Sequence, residues 1–496
     1  MPNYLNVAGI LRSIFYGEFV IVLEIIYVIS AALLGVYGYN SLVLALIRAR
    51  RHRPVPVKDV GTSYQWPQVT VQLPIYNERY VGERLIEAVG KLDYPRDRLH
   101  IQVLDDSTDI TKEIVAKAVK KAQAQGRDIV HIRRPERVGF KGGALEYGLS
   151  SAKGEYVAIF DADFLPPETF IKELIPYFDD DPQIGCLQAR WGHLNSNSSW
   201  LTRTQANGID GHFIVEQEVR SGSKVFLNFN GTAGIWRRTC IQDAGGWHHD
   251  TLTEDLDLSY RAQLKGWKIR FIPHVIAPAE LPVHINAFKR QQFRWAKGSI
   301  QTARKLLGKL WKSKNSALIK IEGTIHLTNY IVHPLILLNL ALTLPLVTSQ
   351  SPILWITPLF TFAAIGPALM YWVAMGNEGK SRWERAVNLS MLVVMGMGLS
   401  LNNTRAVVEA LVGKQSSFLR TPKFNIRGRK NTLRKSEYTL PIDPNAWIET
   451  LIALYALGLF IYVLTNGVWS LVFWLLLYAS GYSYIASLNF RQNFAA

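Results

Sequence analysis

The sequence predicts an α/β domain inserted between transmembrane helices. Three observations carry this. Apolar residues gather near the N-terminus and again after about residue 325. The stretch between them alternates strand-length apolar runs with segments of helical spacing. Acidic motifs close several of those runs. At 496 residues the chain has room for two or three domains, and its mean hydropathy of +0.06 averages a polar middle with apolar flanks. The formal charge of +16 sits largely beside apolar segments, which points to anionic membrane lipids as partners and away from nucleic acid. Two cysteines, Cys186 and Cys240, give no disulfide framework and fit a reducing compartment.

Residues 19–47 are apolar over a length that crosses a bilayer with some tilt. The run is too long for a signal-peptide core, lacks a basic leader and shows no small-x-small cleavage pattern. It stops at Arg48, Arg50, Arg51, His52 and Arg53, which places residues 1–18 outside and the following domain in the cytoplasm. Glu24 is costly in lipid, so either it faces protein or a wet cavity, or the span begins after it.

The soluble domain is expected over 62–284. A strand at 69–74 ends at Tyr76-Asn77-Glu78, and one at 101–104 ends at Asp105-Asp106-Ser107-Thr108-Asp109. Helical spacing over 83–92 joins them into a β-α-β unit, so a mostly parallel sheet is expected. A polar helix over 111–125, a strand at 129–132 and a Gly139–Gly143 loop opening a helix follow. The run 156–160 then leads straight into Asp161-Ala162-Asp163. Carboxylates at the carboxyl end of a buried strand lie where open α/β sheets bind ligands. Strand alternation turns the two side chains apart, so a turn is needed for both to reach one ion. Two such oxygens suit Mg²⁺ or Mn²⁺ holding a diphosphate. Asp-x-Asp alone also caps turns, but ligand groups at successive strand ends are hard to explain as packing.

Phe229-Asn230-Gly231-Thr232-Ala233-Gly234 is small and polar after an apolar start, suited to close backbone approach. Thr253-Glu254-Asp255 follows Gly245-Gly246-Trp247 and opens a helix, where Thr253 can serve as N-cap and the acids can favour the helix dipole. The stretch 285–315 is basic with an apolar stripe and reads as an interfacial helix. On it Trp295 is placed to anchor at a membrane interface. Further spans are expected at 326–347, 353–375, 447–465 and 469–486, with the uncharged links Thr348-Ser349-Gln350-Ser351 and Asn466-Gly467 outside. The apolar part of 386–412 is short, and a single crossing would put the basic loop 413–440 outside. It is therefore expected to be interfacial or re-entrant.

Pro74-x-x-Asn77-Glu78, Asp105-Asp106, Lys141-Gly142-Gly143-Ala144-Leu145, Asp161-Ala162-Asp163, Thr253-Glu254-Asp255 and Gln291-x-x-Arg294-Trp295 occur in this order over about 220 residues. The ordered set resembles the membrane-integrated family-2 glycosyltransferases of the cellulose synthase superfamily. It is most similar to the cellulose synthase-like (gluco)mannan and xyloglucan-backbone synthases and their bacterial relatives, through Gln188-Ala189-Arg190-Trp191, Val215-Glu216-Gln217-Glu218 and the 229–234 phrase. The resemblance implies a GT-A, Rossmann-like fold in a bacterial inner or cell membrane. It implies inverting, processive extension of a β-linked glucan or mannan, β-1,4 in linkage, with export of the polymer. UDP-glucose is favoured as donor over GDP-mannose, and a single transfer to diacylglycerol or ceramide is the alternative. It makes Asp255 the general base, with Glu254 and Thr253 beside it. Pro74, Asn77, Glu78, Asp105, Asp106, Lys141, Gly142, Asp161, Gln291 and Arg294 become nucleotide-sugar residues. Asp161 and Asp163 become the Mg²⁺ or Mn²⁺ ligands, and Trp295, Asn230, Gly231 and Thr232 the acceptor residues. Phe418-Leu419-Arg420-Thr421-Pro422-Lys423 resembles the Phe-x-Val-Thr-x-Lys gating loop of cellulose synthases, with Phe418, Thr421 and Lys423 matching. Arg420 replaces the valine and Pro422 is a further departure; a basic juxtamembrane loop on anionic lipid explains the same residues. A monomer or small homo-oligomer is expected. Every acidic motif is intact, which argues against a non-enzymatic receptor or channel.

Overall fold

The computed structural model describes residues 4–50, 54–416, 420–426 and 443–494, with side chains at 4–16, 355–363 and 493–494 left aside; Phe418 lies outside the described residues. At its centre is a seven-stranded sheet built from β1 (Val69–Ile75), β2 (Leu99–Asp105), β3 (Ile129–Ile132), β4 (Tyr156–Ile159), β5 (Ile184–His193), β6 (Gly234–Arg237) and β7 (Lys268–Ala279), in the order β3-β2-β1-β4-β6-β5-β7. β1 is buried on both faces, so its sequence does not alternate. Two of its polar side chains find partners inside: Gln72 Nε2 donates to Gln102 Oε1 at 3.0 Å, and Thr70 Oγ1 accepts from Gly154 N at 2.8 Å.

Register decides what meets at the sheet edge. β1 pairs in parallel with β2 (Ile75 opposite Asp105) and with β4 (Gln72 opposite Ile159), so their carboxyl ends finish side by side. β6 runs antiparallel to both β4 and β5, with Gly234 opposite Ile159. The start of β6 therefore faces the end of β4, and the 230–232 loop is delivered to Asp161. The expected mostly parallel sheet is found, with this one reversed strand.

The helix Tyr4–Arg50 is longer than the expected first span. Among the described residues, Gly17–Arg50, Ala317–Thr348, Asn445–Thr465 and Trp469–Gln492 are long and apolar enough to cross a membrane. The expected 353–375 segment coincides with helix Thr357–Asn377. The 386–412 stretch is a helix pair, Arg382–Gly398 and Ser400–Leu411, bent by 45°. Glu24 lies inside the first helix and accepts from Ser351 Oγ, so it faces protein. The membrane helices touch through small residues: a Cβ on Gly366 would stand 1.9 Å from Gly38 O, and one on Gly398 2.3 Å from Gly481 O.

The helix Ile285–Lys312 joins the two halves. Lys289 Nζ is 2.6 Å from Glu449 and 2.5 Å from Asp443, with the lysine and Glu449 buried. Lys297 Nζ reaches Glu409 at 2.9 Å. A buried ion pair is costly to break on one side because it strands the other charge. Lys289→Met is therefore expected to destabilise the protein by roughly 3–5 kcal/mol, and Lys289→Met with Glu449→Leu by less. Thermal unfolding of both in the same detergent checks this order.

Candidate active site

The cleft at the strand ends is lined by groups from both halves of the chain. β1 contributes Pro74 and Glu78, β2 Asp106, β4 Asp161 and Asp163, the loop before β6 Asn230 and Gly231, and β7 Glu280. The turn before helix Glu254–Leu264 brings Thr253, Glu254 and Asp255. The helix Ile285–Lys312 brings Gln291, Arg294 and Trp295, and the segment between membrane helices brings Arg420, Thr421 and Lys423. Of the acids lining it, Glu78, Asp106, Asp161, Asp163, Glu254, Asp255 and Glu280 face the cations Arg137, Lys141, Arg294, Arg420 and Lys423, and Arg134 and Arg84 reach Asp106 and Glu280 from beside the cleft.

Lys141 stands among these acids. Its Nζ lies 2.6 Å from Asp161 Oδ1 and 3.9 Å from Glu254 Oε1, and donates to Gly231 O at 2.8 Å. Burial opposes its charge, but the neighbouring carboxylates more than offset that and hold its pKa above the ordinary lysine value. Gly231 has φ +81°, and a Cβ there would stand 2.9 Å from Asp255 Oδ2, so the loop backbone covers the Asp255 carboxylate. Burial, and then the charge of Glu254, push Asp255 up to about 7. Burial likewise raises Asp161, and raises Glu78 to about 8 against the pull of Arg420 at 3.3 Å.

Lys423 Nζ is 2.5 Å from Asp163 Oδ2 and donates to Glu280 O at 2.6 Å, while Phe424 N donates to Glu280 Oε1 at 2.8 Å. The 420–426 segment is thus fastened into the cleft, which retains about 190 Å³ of free space. Trp295 is half-buried with its ring 6.5 Å from Trp191, which packs on Phe164 and Phe213. Its surroundings are the aromatic wall of the cleft.

Some expected residues serve the frame. Asp105 is 1% exposed and engaged by His131 Nε2 and Ser107 N, both at 2.9 Å. Asp106 is the one that opens to the cleft, held by Arg134 at 2.5 Å. Asn77, at φ 54°, accepts from Thr108 N at 2.8 Å and so ties the β1 and β2 ends together. Gly142 packs against the acidic turn: a Cβ there would stand 3.2 Å from Glu254 Cβ. Thr232 Oγ1 accepts from Asp161 N at 2.9 Å. Arg137, Trp191, His193 and Glu280 also line the cleft. Arg137 stacks on Tyr76 at 3.4 Å. Glu280 ends β7, so the strand-end rule that found Asp161 had the signal to find it.

Asp161 and Asp163 offer hard oxygen donors in the cleft that suit Mg²⁺ or Mn²⁺; Lys141 at 2.6 Å and Lys423 at 2.5 Å stand where such a cation would have to compete. A second group, His248, Asp250 and Asp257, is already balanced by Lys305 at 2.7 and 2.9 Å and Arg261 at 2.7 Å.

Residues 67–298 match the model described as glycosyltransferase like family 2. Curated relatives include glucomannan 4-beta-mannosyltransferase 2 of Arabidopsis thaliana, 42% identical over 298 residues covering 58% of this chain and 56% of that protein. Glucomannan 4-beta-mannosyltransferase 1 of Oryza sativa subsp. japonica is 42% identical over 279 residues, 55% of this chain and 53% of its own. The chain thus spans about half the length of the curated relatives it matches. Among solved structures, the mannosyltransferase PcManGT from Pyrobaculum calidifontis, in complex with GDP-Man and Mn²⁺, superposes with a TM-score of 0.56 over 79% of this chain and 100% of that one at 20% identity, a likeness of fold.

Gly298 presses the Ile285–Lys312 helix against the acidic turn: a Cβ on it would stand 2.5 Å from Thr253 Cγ2 and 2.8 Å from Thr253 N. Gly298→Ala is expected to shift Asp255 and lower the transfer rate by roughly 10²-fold, the cost of misplacement near 1 Å, with donor affinity changed far less. Single-turnover kinetics beside nucleotide-sugar titration separates the two.

Proposed function

Residues 67–298 are a family-2 glycosyltransferase domain with the GT-A fold, joined to helices of membrane-spanning length, and from that footing we propose that the chain extends a β-1,4-linked mannan or glucomannan from GDP-mannose at the cytoplasmic face. The reading rests first on the seating of Asp255: a buried carboxylate with a raised pKa, under the backbone of an acceptor loop, in the cleft that carries Asp161 and Asp163. The family resemblance by itself favours glucose; the mannosyltransferase relatives move the proposed sugar to mannose.

In this reading Asp255 accepts the proton of the acceptor hydroxyl as that oxygen bonds to the anomeric carbon. The bond from that carbon to the diphosphate breaks, and the nucleoside diphosphate leaves from the opposite side, giving inversion. Asp161 and Asp163 would hold a divalent cation, which when bound neutralises the leaving diphosphate. Arg294 and Gln291 meet the same phosphates through a planar fork and an amide. Trp295 gives the acceptor sugar an apolar face along which a chain can slide. Lys423 and Arg420 occupy the cleft mouth, so their segment withdraws for donor entry and the polymer leaves through the membrane helices.

The decisive assay is incubation of purified protein in nanodiscs with GDP-mannose or UDP-glucose, followed by sizing and linkage analysis. A β-1,4-mannan from GDP-mannose is expected; an organic-extractable product of one or two sugars would replace the polymer reading with glycolipid synthesis. Asp255→Asn should keep donor affinity while lowering turnover ~10²–10⁴-fold. Because the base must be ionised and its pKa lies at about 7, kcat should fall as pH drops below about 7, and the variant should lose that limb. EDTA should abolish turnover and added Mn²⁺ or Mg²⁺ restore it, with Asp163→Asn needing more metal for half-maximal rate.

A further inference from the structure

A second cleft, of about 440 Å³, opens between helix Trp200–Asp210 and the turn leading into helix Arg382–Gly398. It shares His193 with the active-site cleft, so the two adjoin at the end of β5. Most of its charged groups are already engaged. His193 Nε2 is 2.8 Å from Asp210, and Arg190 is 2.5 Å from Glu378. Glu384 accepts from Ser381 N at 2.9 Å, and Lys380 donates to Asn207 Oδ1. What remains unspent is flat or neutral. Trp200 is 48% exposed and Trp383 77%. Arg203 lies over the Trp200 ring at 5.1 Å. Asn388 is only 6% exposed, faces this cleft and has no hydrogen bond among the described residues.

We propose that this cleft is a non-catalytic binding site for a β-1,4-linked oligosaccharide, holding acceptor chain beside the reaction centre. The two rings offer faces to the C–H surfaces of sugar rings, and the Asn388 amide and the Arg203 edge offer the directional bonds that hydroxyls need. An anionic headgroup would want surplus positive charge, whereas here Asp210, Glu378 and Glu384 face Arg203 and Lys380. A cleft of this size accommodates a small polar ligand. Its adjacency to the active site would raise the local concentration of acceptor ends. The choice of saccharide rests on the transferase reading above; the site does not.

The test is titration of the nanodisc-embedded protein with mannotetraose and cellotetraose, followed by calorimetry and tryptophan fluorescence. Saturable binding is expected, weakened roughly 3- to 10-fold in Trp383→Ala, largely kept in Trp383→Phe, and weakened in Asn388→Leu. Equal binding by wild type and Trp383→Ala overturns the site, as does no binding at millimolar glycan. Quenching of the Trp383-dependent fluorescence by brominated phosphatidylcholine, without a response to glycan, overturns it by assigning the ring to lipid. Polymer made from GDP-mannose without Trp383-dependent tetraose binding sinks the site alone. Trp383-dependent binding without any polymer supports the site and sinks the polymer reading.

Discussion

Crowded carboxylates at one sheet edge are the constraint on which the rest of this structure depends. Like charges a few ångströms apart in a buried setting repel strongly, and burial itself disfavours each of them. The domain answers from within with Lys141, Arg137, Arg134 and Arg84. The other balancing cations that line the cleft come from beyond the sheet: Arg294 from the Ile285–Lys312 helix, Arg420 and Lys423 from the segment between membrane helices. The α/β domain supplies the negative charge and the membrane-side elements supply much of the positive. Catalytic domain and membrane helices therefore share one electrostatic unit, and the buried Lys289–Glu449 and Lys297–Glu409 pairs set the position of the helix that connects them.

Much of this was legible in the sequence because it follows from local pattern. Apolar runs ending in acids placed β1, β2 and β4, and parallel pairing was enough to bring Glu78, Asp106 and Asp161 to one edge. The reversal of β6 was not legible, since Gly234-Ile235-Trp236-Arg237 reads the same in either direction of pairing. Nor was the division of labour between adjacent acids. Asp105 and Asp106 are neighbours of one type, and only His131 on the adjoining strand decides that the first is held inside the frame. The packing of Gly142 against His248 O and Glu254, and the tie from Asn77 to the end of β2, were likewise not legible. Such roles depend on what stands opposite a residue, which spacing does not carry.

The aromatic residues make the same point. Trp295 on an amphipathic helix fits a bilayer interface as well as a sugar platform, and the sequence left both open. The structure places its ring in the cleft, 6.5 Å from that of Trp191, about a hundred positions earlier in the chain and on another element. Trp383 shows the converse, an exposed ring at a helix start whose surroundings, Trp200 and Asn388, give it a chemical context that its own segment lacks.

The fastening of Lys423 onto Asp163 joins groups separated by 260 positions, and Arg84 reaches Asn425 across 341. Contacts of such separation carry a larger loop-closure cost than local ones, which favours their forming after the local elements. A nascent chain that has emerged only as far as the α/β domain would hold its sheet and its acids but lack Arg294, Trp295 and the 420–426 segment. The cleft is therefore complete only when the segment that follows the bent helix pair has been made and drawn back to the sheet.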